Sequence, residues 1–128
     1  MQGRLLVIDD EPTVGRLLLL VARKEGFEAR LCEHPEAFFE AVAHWLPTHV
    51  VVDLSMHEIS GIEVLRGLAA AGCRARVIIS SGAGPSEIDA ALREAQTLGL
   101  ATAGVLPKPF SLVSLRALLR PPEDGDIA

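Results

Sequence analysis

The stretch VVDLSMHEISG (residues 51–61) sets a single carboxylate, Asp53, at the end of an apolar run. A charged group placed against such a run loses hydration, which costs free energy unless a partner compensates for it. Ser60 is a residue type that commonly caps a helix, so a helix is expected to begin at Gly61. The stretch therefore predicts a buried strand followed by a helix, and it raises the question of what surrounds Asp53.

On both sides of this stretch, short apolar runs alternate with segments whose apolar residues recur every three or four positions. The first pattern is typical of strands buried on both faces, and the second is typical of helices with one buried stripe. The patterns predict strands over 5–8, 27–31, 49–52, 77–79 and 103–106, and helices over 14–22, 38–45, 61–69, 88–95 and 112–119. This strict alternation implies an α/β fold with a five-stranded parallel sheet and helices on both faces.

The amino-acid composition limits the classes of protein to which this chain can belong. The 128 residues are 49% apolar and 23% charged, which suits one globular domain. The formal charge is −5 without a basic run, so we expect no direct nucleic-acid binding and no binding to an anionic membrane. Without a signal-peptide pattern or a run of about 20 apolar residues, a cytoplasmic protein is expected. We predict a domain over 1–120 and a flexible tail, or the start of a linker, over 121–128.

Polar residues gather where the predicted strands end. They are Asp9 and Asp10 after the first strand, Asp53 after the third, Ser80, Ser81 and Gly82 after the fourth, and Pro107, Lys108 and Pro109 after the fifth. In an open parallel α/β sheet, ligands bind beyond the carboxyl ends of the strands. We therefore expect three carboxylates, a hydroxyl and one lysine to converge at one edge of the sheet.

This set of side chains indicates metal-assisted phosphoryl chemistry. Two carboxylates about 4 Å apart repel each other by about 4 kcal/mol at an effective dielectric constant near 20. A hard divalent cation with oxygen ligands relieves that repulsion, and Mg²⁺ combines one or two carboxylates with water and phosphate oxygens. Asp53 could then act as a nucleophile toward a phosphoryl group, with charge neutralisation by Lys108 and the Ser81 hydroxyl.

Four motifs, taken in order, resemble those of a known family. They are VIDDEP (7–12), VVVDLSMHEISG (50–61), VIISSG (77–82) and LPKPF (106–110). Together they resemble the receiver domains of bacterial two-component response regulators, of the kind found in chemotaxis regulators, over residues 4 to about 120. The resemblance implies a flavodoxin-like strand order, 2-1-3-4-5.

The resemblance also implies a role for each acidic residue of these motifs. Asp10 would bind Mg²⁺ directly, and Asp9 would act largely through water. Asp53 would be both a metal ligand and the residue that becomes an aspartyl phosphate. Ser55 would offer its backbone carbonyl to the metal.

Two further residues would act on the phosphoryl group itself. By the same resemblance, Ser81 would be the switch hydroxyl that turns toward the phosphoryl group, and Lys108 would pair with the phosphoryl oxygens. The Lys108–Pro109 peptide bond would be cis. Ser55 and Ala83 would flank the site and influence water access.

The chain departs from the family pattern at two positions. His57 stands where proline is usual, and we interpret it as a solvent-exposed substitution rather than a metal ligand or phosphate contact. Val105 stands where many members carry the switch aromatic residue, which puts the usual coupling between hydroxyl and aromatic ring in doubt.

The implied function is a phospho-accepting switch in a phosphorelay rather than an enzyme. A sensor histidine kinase or phosphotransfer protein would donate the phosphoryl group, and a partner protein or output domain would respond. A homodimer is left open by the sequence. One alternative is a receiver-like interaction module that is never phosphorylated. The other is a haloacid-dehalogenase-type phosphatase, which is disfavoured because it would need an aspartate where Ser55 stands.

Overall fold

The computed structural model describes residues 3–82 and 84–119, along which five strands and five helices alternate. The strands are β1 (Arg4–Ile8), β2 (Glu28–Cys32), β3 (His49–Asp53), β4 (Arg76–Ser81) and β5 (Thr102–Pro107), and the helices are α1 (Pro12–Lys24), α2 (Pro35–His44), α3 (Gly61–Ala70), α4 (Pro85–Thr97) and α5 (Leu112–Leu119). None of the helices in these two ranges is long and apolar enough to cross a membrane. The predicted tail (121–128) and Ala83 lie outside the described residues.

All five strands run parallel in the order β2-β1-β3-β4-β5, which confirms the predicted fold. The chain winds outward from β1 to β2 on one side and from β3 to β5 on the other. The direction of winding therefore reverses between β1 and β3, and in such sheets ligands bind at this point, beyond the carboxyl ends of the strands. Asp53, the last residue of β3, lies at this point.

The sheet separates two apolar cores, which explains why the strand sequences are apolar at consecutive positions. Successive side chains of a strand point to opposite faces. Val50 and Val52 pack into the core under α2, α3 and α4, whereas Val51 packs into the core under α1 and α5. Because both faces are covered, Val50, Val51 and Val52 are fully buried.

Each strand differs from its predicted range by one or two residues at an end, and the differences in β3 and β4 bear on the site. Strand β3 includes Asp53 and strand β4 includes Ser80 and Ser81, because the parallel ladder continues there: Asp53 pairs with Ser80, and the amide of Leu54 donates to the Ser80 carbonyl at 3.0 Å. Backbone hydrogen bonds do not require an apolar side chain, so the apolar run ends before the strand does. The polar residues are consequently part of the rigid sheet.

Strand β2 begins one residue later than predicted. Gly26 has a φ of +91°, which ends α1 in a left-handed turn. The amide of Phe27 then donates to the Ala22 carbonyl at 3.0 Å, so Phe27 still belongs to the helix cap. The Phe27 amide is therefore used within the turn and is not available to pair with a neighbouring strand.

The start of α3 holds the loop after Asp53 against the sheet. Ser60 and Glu63 form a reciprocal capping box, with both hydrogen bonds at 3.1 Å, which confirms the predicted helix start. Gly61 is buried, and a Cβ atom there would lie 2.9 Å from the Cα of Leu54. Only glycine lets the helix approach the strand end this closely, so the loop over 54–60 is tightly anchored at both ends.

Candidate functional site

Three carboxylates meet at the carboxyl ends of β1 and β3. Asp9 and Asp10 follow β1, and Asp53 is the last residue of β3, the neighbouring strand. One carboxylate oxygen from each of the three lies within 4.8 Å of the others. Asp9 and Asp53 are almost completely buried, whereas Asp10 is partly exposed. The structure thus brings together the acidic residues that the sequence placed at separate strand ends.

Lys108 joins this acidic cluster from the loop after β5. Its Nζ lies 3.2 Å from Asp9 Oδ2 and 3.2 Å from Asp53 Oδ2, and its side chain is only 15% exposed. Its amide donates to the Ser81 carbonyl at 3.0 Å, which ties the loop to the end of β4. The Lys108–Pro109 peptide bond is cis, as the resemblance implied. One ammonium group therefore bridges the two buried carboxylates.

Burial and charge oppose each other in this cluster. Desolvation raises the pKa of Asp9, and the nearby Asp53 charge raises it further, although the Glu11 amide and Lys108 act in the opposite direction. Burial alone would lower the pKa of Lys108, but the carboxylates of Asp53 and Asp9 together raise it above its ordinary value. The ammonium is thus held in its charged form by the acids that it bridges.

The backbone orients two of the carboxylates. The Glu11 amide donates to Asp9 Oδ1 at 2.8 Å, and the Ser55 amide donates to Asp53 Oδ1 at 3.0 Å. In each case Oδ2 is the oxygen near Lys108. The amide of Ser55 thus orients Asp53, and the role expected of the Ser55 carbonyl remains a prediction.

The two serines at the end of β4 occupy different faces of the sheet. Ser80 is the register partner of Asp53, and since parallel partners point to the same face, its side chain lies on the Asp53 side. Ser81, the residue expected to be the switch hydroxyl, is one residue further and pairs with Pro107. Both are buried. Within the described residues the Ser80 hydroxyl has no hydrogen-bond partner, and the sequence singled out no role for it.

Ser80→Ala is expected to stabilise the fold. A buried hydroxyl without a partner retains its desolvation cost, so its removal should increase the free energy of unfolding by about 1 kcal/mol. Urea unfolding of the two proteins measures the difference. Ser86→Ala, on the exposed start of α4, is the control and should change stability by less than about 0.5 kcal/mol. A loss of stability in Ser80→Ala would contradict the interpretation.

Two contacts of the site were not anticipated from the sequence. Glu11 Oε1 lies 3.4 Å from Lys108 Nζ, at the exposed rim of the cluster. His57 was interpreted as an exposed substitution, and its side chain is indeed 94% exposed. However, its Nδ1 lies 2.9 Å from Asp10 Oδ2, and its amide donates to the same oxygen at 3.0 Å. The predicted exposure of His57 is therefore confirmed, but the sequence did not predict that its ring and its amide both contact Asp10.

This contact shifts the titration of both partners. The side-chain hydrogen bond from His57 lowers the pKa of Asp10, and the His57 amide lowers it further. The same side-chain hydrogen bond, together with the Asp10 charge, raises the pKa of His57. Both effects stabilise the charged forms of the pair.

The donor set suits a hard divalent cation. All three acidic residues offer carboxylate oxygens, which are the ligands that Mg²⁺ and Ca²⁺ prefer. Their clustering within 4.8 Å is close enough for one ion, and two of the three are too buried for water to screen their repulsion. The residues present therefore fit an Mg²⁺ site.

Comparison with known proteins identifies the family. The family model for the response regulator receiver domain matches residues 5–120. The response regulator MprA of Mycolicibacterium vanbaalenii is 30% identical over 131 residues, covering 98% of this chain and 54% of MprA. The DNA-binding response regulator MtrA of Mycolicibacterium smegmatis is 36% identical over 70 residues, covering 55% of this chain and 31% of MtrA. The chain thus spans about half the length of MprA and less of MtrA.

Solved structures agree with this assignment. A response regulator from Colwellia psychrerythraea superposes with a TM-score of 0.80 at 26% identity, covering 92% of this chain and 94% of that one. A response regulator from Burkholderia pseudomallei, solved with a phosphorylated aspartic acid and a calcium ion, has the same fold, with a TM-score of 0.78 at 21% identity over 94% of this chain and 68% of that one. From the family match, the shared fold and the similarity to named regulators, the chain belongs to the response regulator receiver domain family.

Proposed function

We propose that this receiver domain accepts a phosphoryl group on Asp53 in the presence of Mg²⁺. The observation that carries the proposal is the approach of Lys108 Nζ to within 3.2 Å of both Asp53 Oδ2 and Asp9 Oδ2, beside the partly exposed Asp10. This arrangement places a nucleophilic carboxylate next to a fixed cation and a set of metal ligands. Phosphoryl transfer depends on such positioning and charge neutralisation.

Each residue of the cluster has a separate role in the proposed phosphoryl transfer. An Asp53 carboxylate oxygen attacks the phosphorus of the donor, the bond from phosphorus to the donor's leaving atom breaks, and an acyl phosphate forms. Mg²⁺, held by Asp9, Asp10, Asp53 and the Ser55 carbonyl, would supply positive charge to the phosphoryl oxygens. The Ser55 amide, which already donates to Asp53 Oδ1, leaves Oδ2 as the oxygen facing Lys108. Lys108 is thus placed to pair with the Asp53 carboxylate before transfer and with the phosphoryl oxygens after it.

The phosphoryl donor and the protein that responds to phosphorylation are part of the same proposal. A sensor histidine kinase or phosphotransfer protein would supply the phosphoryl group, and a partner protein or an output domain would respond to the new charge. MtrA is named a DNA-binding regulator. For this receiver itself, the net charge of −5 supports a role without direct nucleic-acid contact. A cytoplasmic location is proposed because the donors of this family act there.

The response would pass through β4 and β5. Ser81 ends β4, and its carbonyl accepts from the Lys108 amide, so a movement of one residue would be passed to the other. Val105 is half-buried on β5 and pairs with Ile79, without the aromatic ring that many members have at this position. We propose that Ser81 turns toward the phosphoryl group and that the response relies on the shift of the loop after β5.

The test is incubation of the purified chain with acetyl phosphate and Mg²⁺, followed by intact-mass measurement. One adduct with the mass of a single phosphoryl group is expected, and it should not form when EDTA removes the metal. Absence of an adduct with acetyl phosphate and with phosphoramidate would instead favour an interaction module. Sustained release of phosphate from p-nitrophenyl phosphate would favour a phosphatase.

A further inference from the structure

His57 holds one of the two carboxylate oxygens that Asp10 offers to the acidic cluster. Asp10 Oδ2 accepts two hydrogen bonds from this one residue, from the amide at 3.0 Å and from Nδ1 at 2.9 Å. A carboxylate oxygen has about two lone-pair positions, so these two donors fill the hydrogen-bonding capacity of Oδ2. Asp9 and Asp53 are instead contacted by Lys108.

The position of Asp10 makes this contact consequential. Asp10 is the most exposed of the three clustered carboxylates, with 24% of its side chain accessible, so it is the one that an incoming cation meets first. The His57 imidazole lies outside this carboxylate and is 94% exposed, so it can swing into solvent without disturbing the core. A cation that uses Oδ2 must displace both donors.

We propose that His57 is a latch on Asp10, which holds Oδ2 in two hydrogen bonds that a divalent cation must break and thereby lowers the metal affinity of the cluster. The inference rests on the proposed Mg²⁺ site and adds a residue that sets its affinity. The latch acts through Asp10 and is not itself a metal ligand. It would raise the free Mg²⁺ concentration at which the site is half occupied.

Substitution separates the two donors of the latch. His57→Ala removes the imidazole and keeps the amide, whereas His57→Pro removes both, because proline has no N–H. Loss of the imidazole should lower the Mg²⁺ dissociation constant about fivefold, since hydrogen bonds to charged groups are worth more than neutral ones but are weakened by exposure. Loss of both donors should lower it about tenfold or more, which corresponds to about 1.4 kcal/mol.

The chain offers a matched control. His34 Nδ1 lies 2.8 Å from Glu58 Oε1 in another exposed histidine–carboxylate pair, and neither residue belongs to the acidic cluster. His34→Ala therefore reproduces the loss of such a pair without touching Asp10, and it should leave the Mg²⁺ dissociation constant unchanged.

The measurement is a titration of each ¹⁵N-labelled protein with MgCl₂ at one fixed pH, followed by the amide shifts of residues 9–10 and 53–57. Circular dichroism checks that each variant is folded. If His57→Pro does not fold, the result for His57→Ala alone decides the test. Equal or weaker Mg²⁺ binding in His57→Ala, with normal binding by wild type, would overturn the latch alone, because His57 would then be a bystander or would orient Asp10 for the metal. No response to Mg²⁺ in any protein would overturn both the latch and the proposed metal site.

Discussion

Asp53→Asn is expected to abolish the phosphoryl adduct that acetyl phosphate and Mg²⁺ produce. The amide has nearly the same shape as the carboxylate, so it can still fill the buried end of β3, but it lacks the nucleophilic anionic oxygen. It also removes one of the three carboxylates within 4.8 Å of one another, which weakens any metal bound there. Intact-mass spectra of wild type and variant under identical conditions give the comparison.

A matched substitution distinguishes phosphorylation at this site from non-specific phosphorylation of other carboxylates. Asp89 is an exposed aspartate on α4, so Asp89→Asn keeps the acidic cluster intact while changing the same functional group. This variant should be phosphorylated to the same extent as wild type. If Asp53→Asn still acquired a single Mg²⁺-dependent adduct, Asp53 would not be the acceptor.

Lys108→Ala is expected to destabilise the fold by about 3 kcal/mol in the absence of divalent metal. The ammonium is the cation that contacts both Asp9 Oδ2 and Asp53 Oδ2, and these carboxylates are buried. Removal of one partner from a buried ion pair leaves uncompensated charge, with typical costs of about 3–5 kcal/mol. Urea unfolding in EDTA measures the loss, and Mg²⁺ should recover part of it because it supplies positive charge to the same carboxylates.

Two further proteins test the physical reason for that loss. In Lys108→Ala/Asp53→Asn the repulsion between the buried carboxylates is gone, so the double variant should be more stable than Lys108→Ala alone. Lys24→Ala, at the exposed end of α1, should change stability by less than about 0.5 kcal/mol. A cost below about 1 kcal/mol for Lys108→Ala, with an unchanged denaturant slope, would show that water already screens the pair.

The location of the site could be predicted because it depends on a rule that acts over the whole sheet. In a parallel sheet every strand ends at the same edge, so Asp9, Asp53 and Lys108 could be placed at that edge once the strands were identified. Errors of one or two residues at strand ends did not alter this. Asp53 and Ser81 were expected after their strands and instead complete them, but the edge is the same.

Finer contacts could not be predicted because they depend on register and on loop paths. The pairing of Asp53 with Ser80, one residue before the expected switch hydroxyl, follows from how β3 and β4 align. The two hydrogen bonds from His57 to Asp10 follow from the course of the loop over 54–60, which the capping box and Gly61 anchor. The spacing of apolar residues in the sequence predicts neither the pairing of Asp53 with Ser80 nor the hydrogen bonds from His57 to Asp10.

The amino-acid sequence by itself determined the alternating α/β architecture, the buried strands and the polar edge, because the spacing of apolar residues dictates which faces leave water. Its motifs also pointed to the family. Only the tertiary structure decided that Lys108 bridges Asp9 and Asp53 and that Asp10 is held by His57. Hydrogen bonds and ion pairs change strength over a few tenths of an ångström, and that precision arises only when strands, loops and helix ends are packed together.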